Sequence, residues 1–272
     1  MPTALDLEGR QTSSKRGALA AWLRDSIDNE QHWLEYELLA LALATGIIDA
    51  VSFPKFHCFV SNQTGNTVLF AVTAFALFGT RQETTFQVPA PHLVTSLGFF
   101  VIGVFTAGQI SNWLDAKSSR WWLLTTNIFQ TIFVLLASLL SLLFPTGHYD
   151  GTATNTAPIL CSIALLALSS GSQVAMSRQL GMPEIPTTQA TAAYVDLLVD
   201  TRFFVPITEN RGRNRRAAFI ITLCIGSFVG APAYHYVSTA LAIFLAAIIK
   251  IFVTIMFLFN KTKAQRGNLS KT

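Results

Sequence analysis

The chain has 272 residues, of which 51% are hydrophobic and only 12% charged, with a net charge of +4 and a mean hydropathy of +0.45. Soluble domains carry roughly 25% charged residues, so this composition leaves too few polar groups to coat a water-soluble globule, and lipid is the expected solvent. The basic residues sit at the ends of apolar runs rather than on a polar face, which argues against a nucleic-acid binder.

Residues 1–16 are polar and aperiodic and read as a disordered tail. From Gly17 to Glu37, Leu19, Trp22, Leu23, Ile27, Trp33 and Leu34 alternate with charged residues. That pattern predicts an interfacial amphipathic helix with its tryptophans at headgroup depth. A membrane span needs roughly 20 apolar residues. Leu93–Leu114, Trp121–Phe144, Ala157–Ser177 and Ala217–Val237 qualify with no Asp, Glu, Lys or Arg, and Thr239–Phe259 qualifies with Lys250 as its single exception. Leu38–Phe53 is shorter, carries Asp49 and is expected to stop at Pro54. The stretches 64–79 and 187–200 are ambiguous: the first opens on polar SNQTGN, and the second contains Asp196 and Asp200.

These ambiguous stretches follow related segments. LALATGIIDAVS (Leu41–Ser52) and LALSSGSQVAMS (Leu166–Ser177) share Leu, Ala, Leu, Gly, Ala and Ser at aligned places. After them come SNQTGN (Ser61–Asn66) and TTQATA (Thr187–Ala192), so an internal duplication is expected. The basic residues then order the topology. Arg202, Arg211, Arg213, Arg215 and Arg216, the C-terminal Lys261, Lys263, Arg266 and Lys271, and the Lys117–Arg120 loop all favour the cytoplasmic side, whereas 145–156 has no Lys or Arg. Eight full spans would invert two of these loops. Six spans plus two re-entrant or half helices satisfy all of them, with both termini inside and three spans per half, so the repeats are inverted, as in many transporters. The chain thus divides into a tail and amphipathic arm (1–37), two membrane halves (38–144 and 157–259) and a basic tail (260–272). The fold class is an all-α polytopic membrane protein.

Candidate site residues follow from polarity at depth. Asn62, Gln63, Thr64 and Asn66 offer amide and hydroxyl groups, and Gly65 permits close backbone approach. Either this is a binding element at mid-membrane, where irregular backbone requires protein or water as solvent, or it is an ordinary helix N-cap at the surface. Thr187, Thr188, Gln189 and Thr191 are the counterpart, and the two stretches are expected to face each other across a cavity. Asp49 is an intramembrane carboxylate, hence an ion, proton or pairing site by default; Gln173 lies beside its repeat counterpart, Val174. Lys250 lies near the middle of the last span, roughly 16 Å from the interfaces at 1.5 Å per residue, and Asp49, Asp196 or Asp200 is the expected counter-ion. Sequons at Asn62, Asn260 and Asn268 read as silent.

No HExxH, GxGxxG or P-loop is present, His57–Cys58 has no matching ligands, and Ser172 lacks a GxSxG frame. No cofactor, metal or catalytic activity is therefore expected. Cys58, Cys161 and Cys224 form no CxxC pair and read as small hydrophobes.

GIIDAVSF followed by FVSNQTGNTV resembles the YoaK family, membrane proteins grouped as domain of unknown function 1275. The family pattern is similar to Gly46, Asp49, Ala50 and Ser52, then Thr64, Gly65 and Asn66; in the second half Gly171, Gln173, Ala175, Thr187, Thr188 and Thr191 match. Val174 and Ala192 depart from the family's Asn and Gly. The resemblance covers about residues 38–259 and implies a multi-span protein of uncharacterised role, often suspected to be a transporter. A small-solute or ion carrier is the leading expectation, with the bilayer and one small solute as partners. Homo-oligomerisation is left open. A membrane scaffold packed through Gly98, Gly103, Ala107 and Gly108 is the alternative, and an intramembrane enzyme the third reading.

Overall fold

The computed structural model describes residues 17, 19–28, 31–78, 88–144 and 156–261. The tail at 1–16, the 145–155 loop and the basic residues after Lys261 lie outside these. Among the described residues the chain is helical, in the order α1 (His32–Phe56), α2 (Gln63–Phe78), α3 (Ala90–Trp113), α4 (Arg120–Leu143), α5 (Thr156–Gln179), α6 (Ala190–Leu198), α7 (Arg211–Pro232) and α8 (Thr239–Met256). A π-helical turn, Ala233–Val237, extends α7. Six helices are long and apolar enough to cross a membrane: α1, α3, α4, α5, α7 with its π turn, and α8. At 16 and 9 residues, α2 and α6 are shorter. At 1.5 Å per residue they reach roughly 24 and 14 Å, short of a hydrocarbon core of about 30 Å.

The first span differs from expectation. Residues 19–24 are helical, but the chain breaks at Asp25, and Ser26 pairs as an isolated bridge with Ser119. A new helix then begins at His32, so Trp33, Leu34, Glu35 and Glu37 belong to α1 and not to one interfacial helix over 17–37. Leu34 and Glu37 are buried by it. Nor does Pro54 end the span. It sits in the last turn, where its missing N–H costs one intrahelical bond, and the helix ends at His57 in the left-handed region (φ 55°).

Two packing seams mirror one another. Gly46 of α1 meets the backbone of α7 at Leu223, and Gly226 of α7 meets Leu43 of α1; a Cβ at either would collide. On the other side Gly171 of α5 meets Phe100 of α3, and a Cβ on Gly103 would lie 2.5 Å from Leu168 O. Leu43 and Leu168, and Gly46 and Gly171, are aligned pairs of the two related segments. Even a local bond recurs: Ser52 donates to Asp49 O (3.3 Å) and Ser177 to Val174 O (3.1 Å).

Most buried apolar residues form two layers, with a smaller cluster of Ala107, Ala116, Trp122 and Ala175 beside them. One holds Ala44, Ile47, Val134, Ala137, Ile163, Ala167, Ala246 and Ala247; the other holds Leu38, Leu41, Leu123, Met176, Phe219, Val253 and Phe257. Side chains such as Val101, Phe105, Phe129, Phe228 and Phe252 are exposed around them and suit acyl chains.

At one end of the bundle the segment before α1 and the residues after α8 are tied together. Lys261 N donates to Gln31 Oε1 (3.0 Å), Ile27 N to Ser118 O (2.8 Å), and Glu35 pairs with Arg211 and with Arg215 (2.8 Å). This near face therefore carries the starts of α1, α4 and α7 and the end of α8. The opposite, far face carries the end of α1, the start of α8 and the π turn.

Candidate functional site

A polar layer separates the two apolar layers. Lys250 on α8 is 1% exposed, and its Nζ donates to Gln130 Oε1 of α4 (3.0 Å) and Gln173 Oε1 of α5 (2.6 Å). Gln173 Nε2 donates in turn to Thr45 Oγ1 of α1 (3.0 Å). Asn127 donates to Lys250 O (3.0 Å) and Thr254 Oγ1 (2.7 Å), while its own Oδ1, like Gln130 Nε2, is buried without a partner. Each helix brings its residue here because the flanking turns are apolar: on α8, Ala246 and Ala247 precede Lys250 and Val253 follows. The ammonium is thus held by neutral amides. The expected counter-ions lie elsewhere: Asp49 accepts from Ser61, Asp196 is exposed, and Asp200 pairs with Arg216 (3.5 Å). A carboxylate is longer-ranged in attraction, but glutamine reaches the same place without placing a second charge in lipid-like surroundings.

Asp49 sits one turn beyond Thr45 toward the far face. Its Oδ2 accepts a short hydrogen bond from Ser61 Oγ, and its Oδ1 is buried with no partner. Cys58 is buried beside it; burial, with the Asp49 carboxylate adding, pushes the thiol up to about 12, which disfavours a nucleophilic or metal-binding thiolate.

The SNQTGN stretch divides in two. Asn66 is fully buried and clamps the turn before it: its Oδ1 accepts from Phe59 N (2.9 Å), and its Nδ2 donates to Phe59 O (2.6 Å), Gln63 Oε1 (2.8 Å) and Ser96 Oγ (3.1 Å). Gln63 donates to Val60 O (3.1 Å), and Gly65 lies against the Phe59 ring. Asn62 and Thr64 are exposed and face away from this cluster. The stretch is therefore a buried tie with two outward residues. In the second break, Thr187 and Thr188 are buried and Thr187 reaches Ser177 Oγ (3.4 Å), with a left-handed backbone (φ 62°). Gln189, which accepts from Arg178 (2.6 Å), and Thr191 are exposed.

The two breaks do not face each other. Asp49, which anchors Ser61, is one turn on the far side of Thr45; Ser177, which anchors Thr187, is one turn on the near side of Gln173. Since α1 and α5 cross at Thr45–Gln173, the breaks lie on opposite sides of the polar layer. Because α1 and α5 run antiparallel, one turn onward from the crossing leads to opposite faces.

On the near face a second buried polar group was not anticipated from sequence. Glu37 is fully buried and accepts from Asn260 Nδ2 at both oxygens (2.9 and 2.8 Å). The buried Arg120 donates to Asn260 O and lies 3.9 Å over the Trp22 ring. Asp200, in the turn after α6, accepts from Arg202 N (2.8 Å) and Asn210 Nδ2 (3.1 Å); chiefly that backbone bond holds its carboxyl below the usual carboxylate range.

A family model described as a protein of unknown function, DUF1275, matches residues 38–256. The chain belongs to this family. The DUF1275 match runs from Leu38, inside α1, to the end of α8, and includes both breaks and the polar layer. No curated protein and no solved structure matches the chain. What sequence reading missed in this DUF1275 chain is the amide partners: Gln130 and Asn127 sit in a long apolar run, and an isolated amide every turn or so was the available signal.

Proposed function

We propose that this DUF1275 protein moves a small solute or ion across its membrane, with Lys250, Gln130, Gln173 and Thr45 as the central site. The carrying observation is a fully buried ammonium at mid-depth held, among the described residues, by glutamine oxygens alone. A lysine in such a place costs several kcal/mol of desolvation, and a well-packed apolar residue would stabilise the bundle better. Intramembrane cations of this kind mark solute or ion paths. Two related, inverted halves fit the matched glycine seams, and both termini in the cytoplasm fit the clustering of basic residues on the near face. The mechanism involves no bond-breaking step, so the reading is of a carrier and not an enzyme.

The test is osmotic swelling of liposomes holding the full chain, screened with formate, acetate, chloride, glycerol and potassium salts. At least one solute is expected to enter faster than in protein-free liposomes, and Gln173→Leu to slow it about tenfold or more. Identical swelling for every solute with and without protein sinks the proposal.

A scaffold role has one supporting observation. Gly98 and Gly108 of α3 have open space where a Cβ would be, whereas Gly103 and Ala107 on the same helix are used internally. A partner helix seated on that stripe would be recovered in detergent pull-downs and lost on Gly98→Leu.

A further inference from the structure

We infer that the mid-depth site takes a small monovalent anion, entering from the far face; this rests on the carrier reading and names its substrate class. A lysine ammonium has three donors, and here two are taken by Gln130 and Gln173. The same Gln130 amide leaves its Nε2 buried with no acceptor. Unused donors from a cation and its neighbouring amide therefore fall within one small group. Asn127 Oδ1 is an unused acceptor nearby, so donors outnumber acceptors in the layer. A single positive charge in a low-dielectric setting is neutralised by a single negative one; a dianion would bring back an uncompensated charge.

The route to the group is built from the same helices. A cavity of about 670 Å³ opens on the far face among the ends of α1 and α4, the start of α5, the π turn and the start of α8. Its ionisable lining residues, among the described residues, are Lys55, Tyr234 and His235, with no carboxylate. Ser141 of α4, Ser162 of α5 and Thr239 of α8 line it, and Gln130, Gln173 and Lys250 lie 11 residues further along each helix, roughly 16 Å deeper. Between them these helices bury small residues, Ala137 and Ser138, Ala167 and Ser169, Ala246 and Ala247, interspersed with the larger Val134, Ile163, Leu166 and Ile243. Short side chains leave the least bulk to displace when a small ion descends. Asp49 does not line the cavity; its carboxylate is turned to Ser61 on another side of α1.

The experiment is the melting temperature of the purified full chain in detergent, at constant ionic strength, as gluconate is replaced by chloride, nitrate, formate or acetate. A ligand of the folded state raises the melting temperature with concentration. At least one small anion is expected to raise that of the wild type by several degrees, with no rise in Lys250→Met, a near-isosteric change that circular dichroism will show folded. No rise with any of the four, or the same rise in Lys250→Met, overturns the anion site; bound water alone gives that result. Swelling then separates the two readings. Anion-dependent stabilisation without flux leaves an anion site in a protein that does not transport, whereas glycerol or potassium flux without stabilisation keeps the carrier and removes the anion.

Discussion

At the residue scale, burial separates groups that look alike on paper. Asn66 and Thr64 stand two apart in one polar stretch, yet Asn66 makes four side-chain contacts that fix the turn and Thr64 is exposed. Asn66→Ala is expected to leave Phe59 N without its acceptor, while Phe59 O keeps Ser96 Oγ, and to cost about 1–3 kcal/mol, while Thr64→Ala stays within about 0.5 kcal/mol. Thermal unfolding of the two variants in one detergent measures the difference, and equal losses would show that the turn does not depend on the clamp. The Glu37–Asn260 pair gives a sharper case. Asn260→Ala removes the donor from both carboxylate oxygens and should cost about 1–3 kcal/mol or more, because a buried acceptor is stranded. Adding Glu37→Leu in that background removes the stranded group, so much of the loss should return; a further loss in the double variant would mean that Glu37 is held by other contacts.

At the element scale, helix existence was legible and helix ends were not. The apolar runs of α3, α4, α5 and α8 identify spans by length alone, since nothing but lipid or a large core accommodates them. At its start the first span reads six residues short because Glu35 and Glu37 look like surface charges; only Arg211, Arg215 and Asn260, brought from the other end of the chain, draw them inward. Partners of such high sequence separation leave no local pattern. The same holds for Lys250, whose depth was readable by counting residues but whose glutamine partners were not. The glycine seams were legible only as small-residue content, and the structure assigns each its neighbour. Gly226→Val should force α7 off α1 at Leu43, costing about 1–3 kcal/mol or more in overpacking. Gly98→Ala, with open space around it, should be neutral or slightly stabilising from helix propensity. Melting temperatures of the two variants decide this, and a Gly226→Val protein as stable as wild type would contradict the close approach.

At the scale of the whole molecule, the bundle has two unlike faces and one polar layer between them. The near face gathers Gln31, Lys261 and Arg211, Arg213, Arg215 and Arg216; the far face carries the cavity. Six full helices with short α2 and α6 put residues 31, 117 and 261 on one side and residues 144 and 238 on the other, whereas eight crossings would send 117 to the side of 238. Single cysteines at these five positions, in a chain with Cys58, Cys161 and Cys224 replaced by alanine, can be labelled with a membrane-impermeant maleimide from either side. Positions 31, 117 and 261 are expected to react together and, since Lys and Arg are retained inside, from the cytoplasm. Positions 144 and 238 should react only from outside. A label at 117 that tracks 238 would force α2 to cross the bilayer fully, and then α1 and α5 could not be inverted counterparts. The Thr45–Gln173 crossing would lose its place midway between the two breaks, and with it the reason for a buried lysine there.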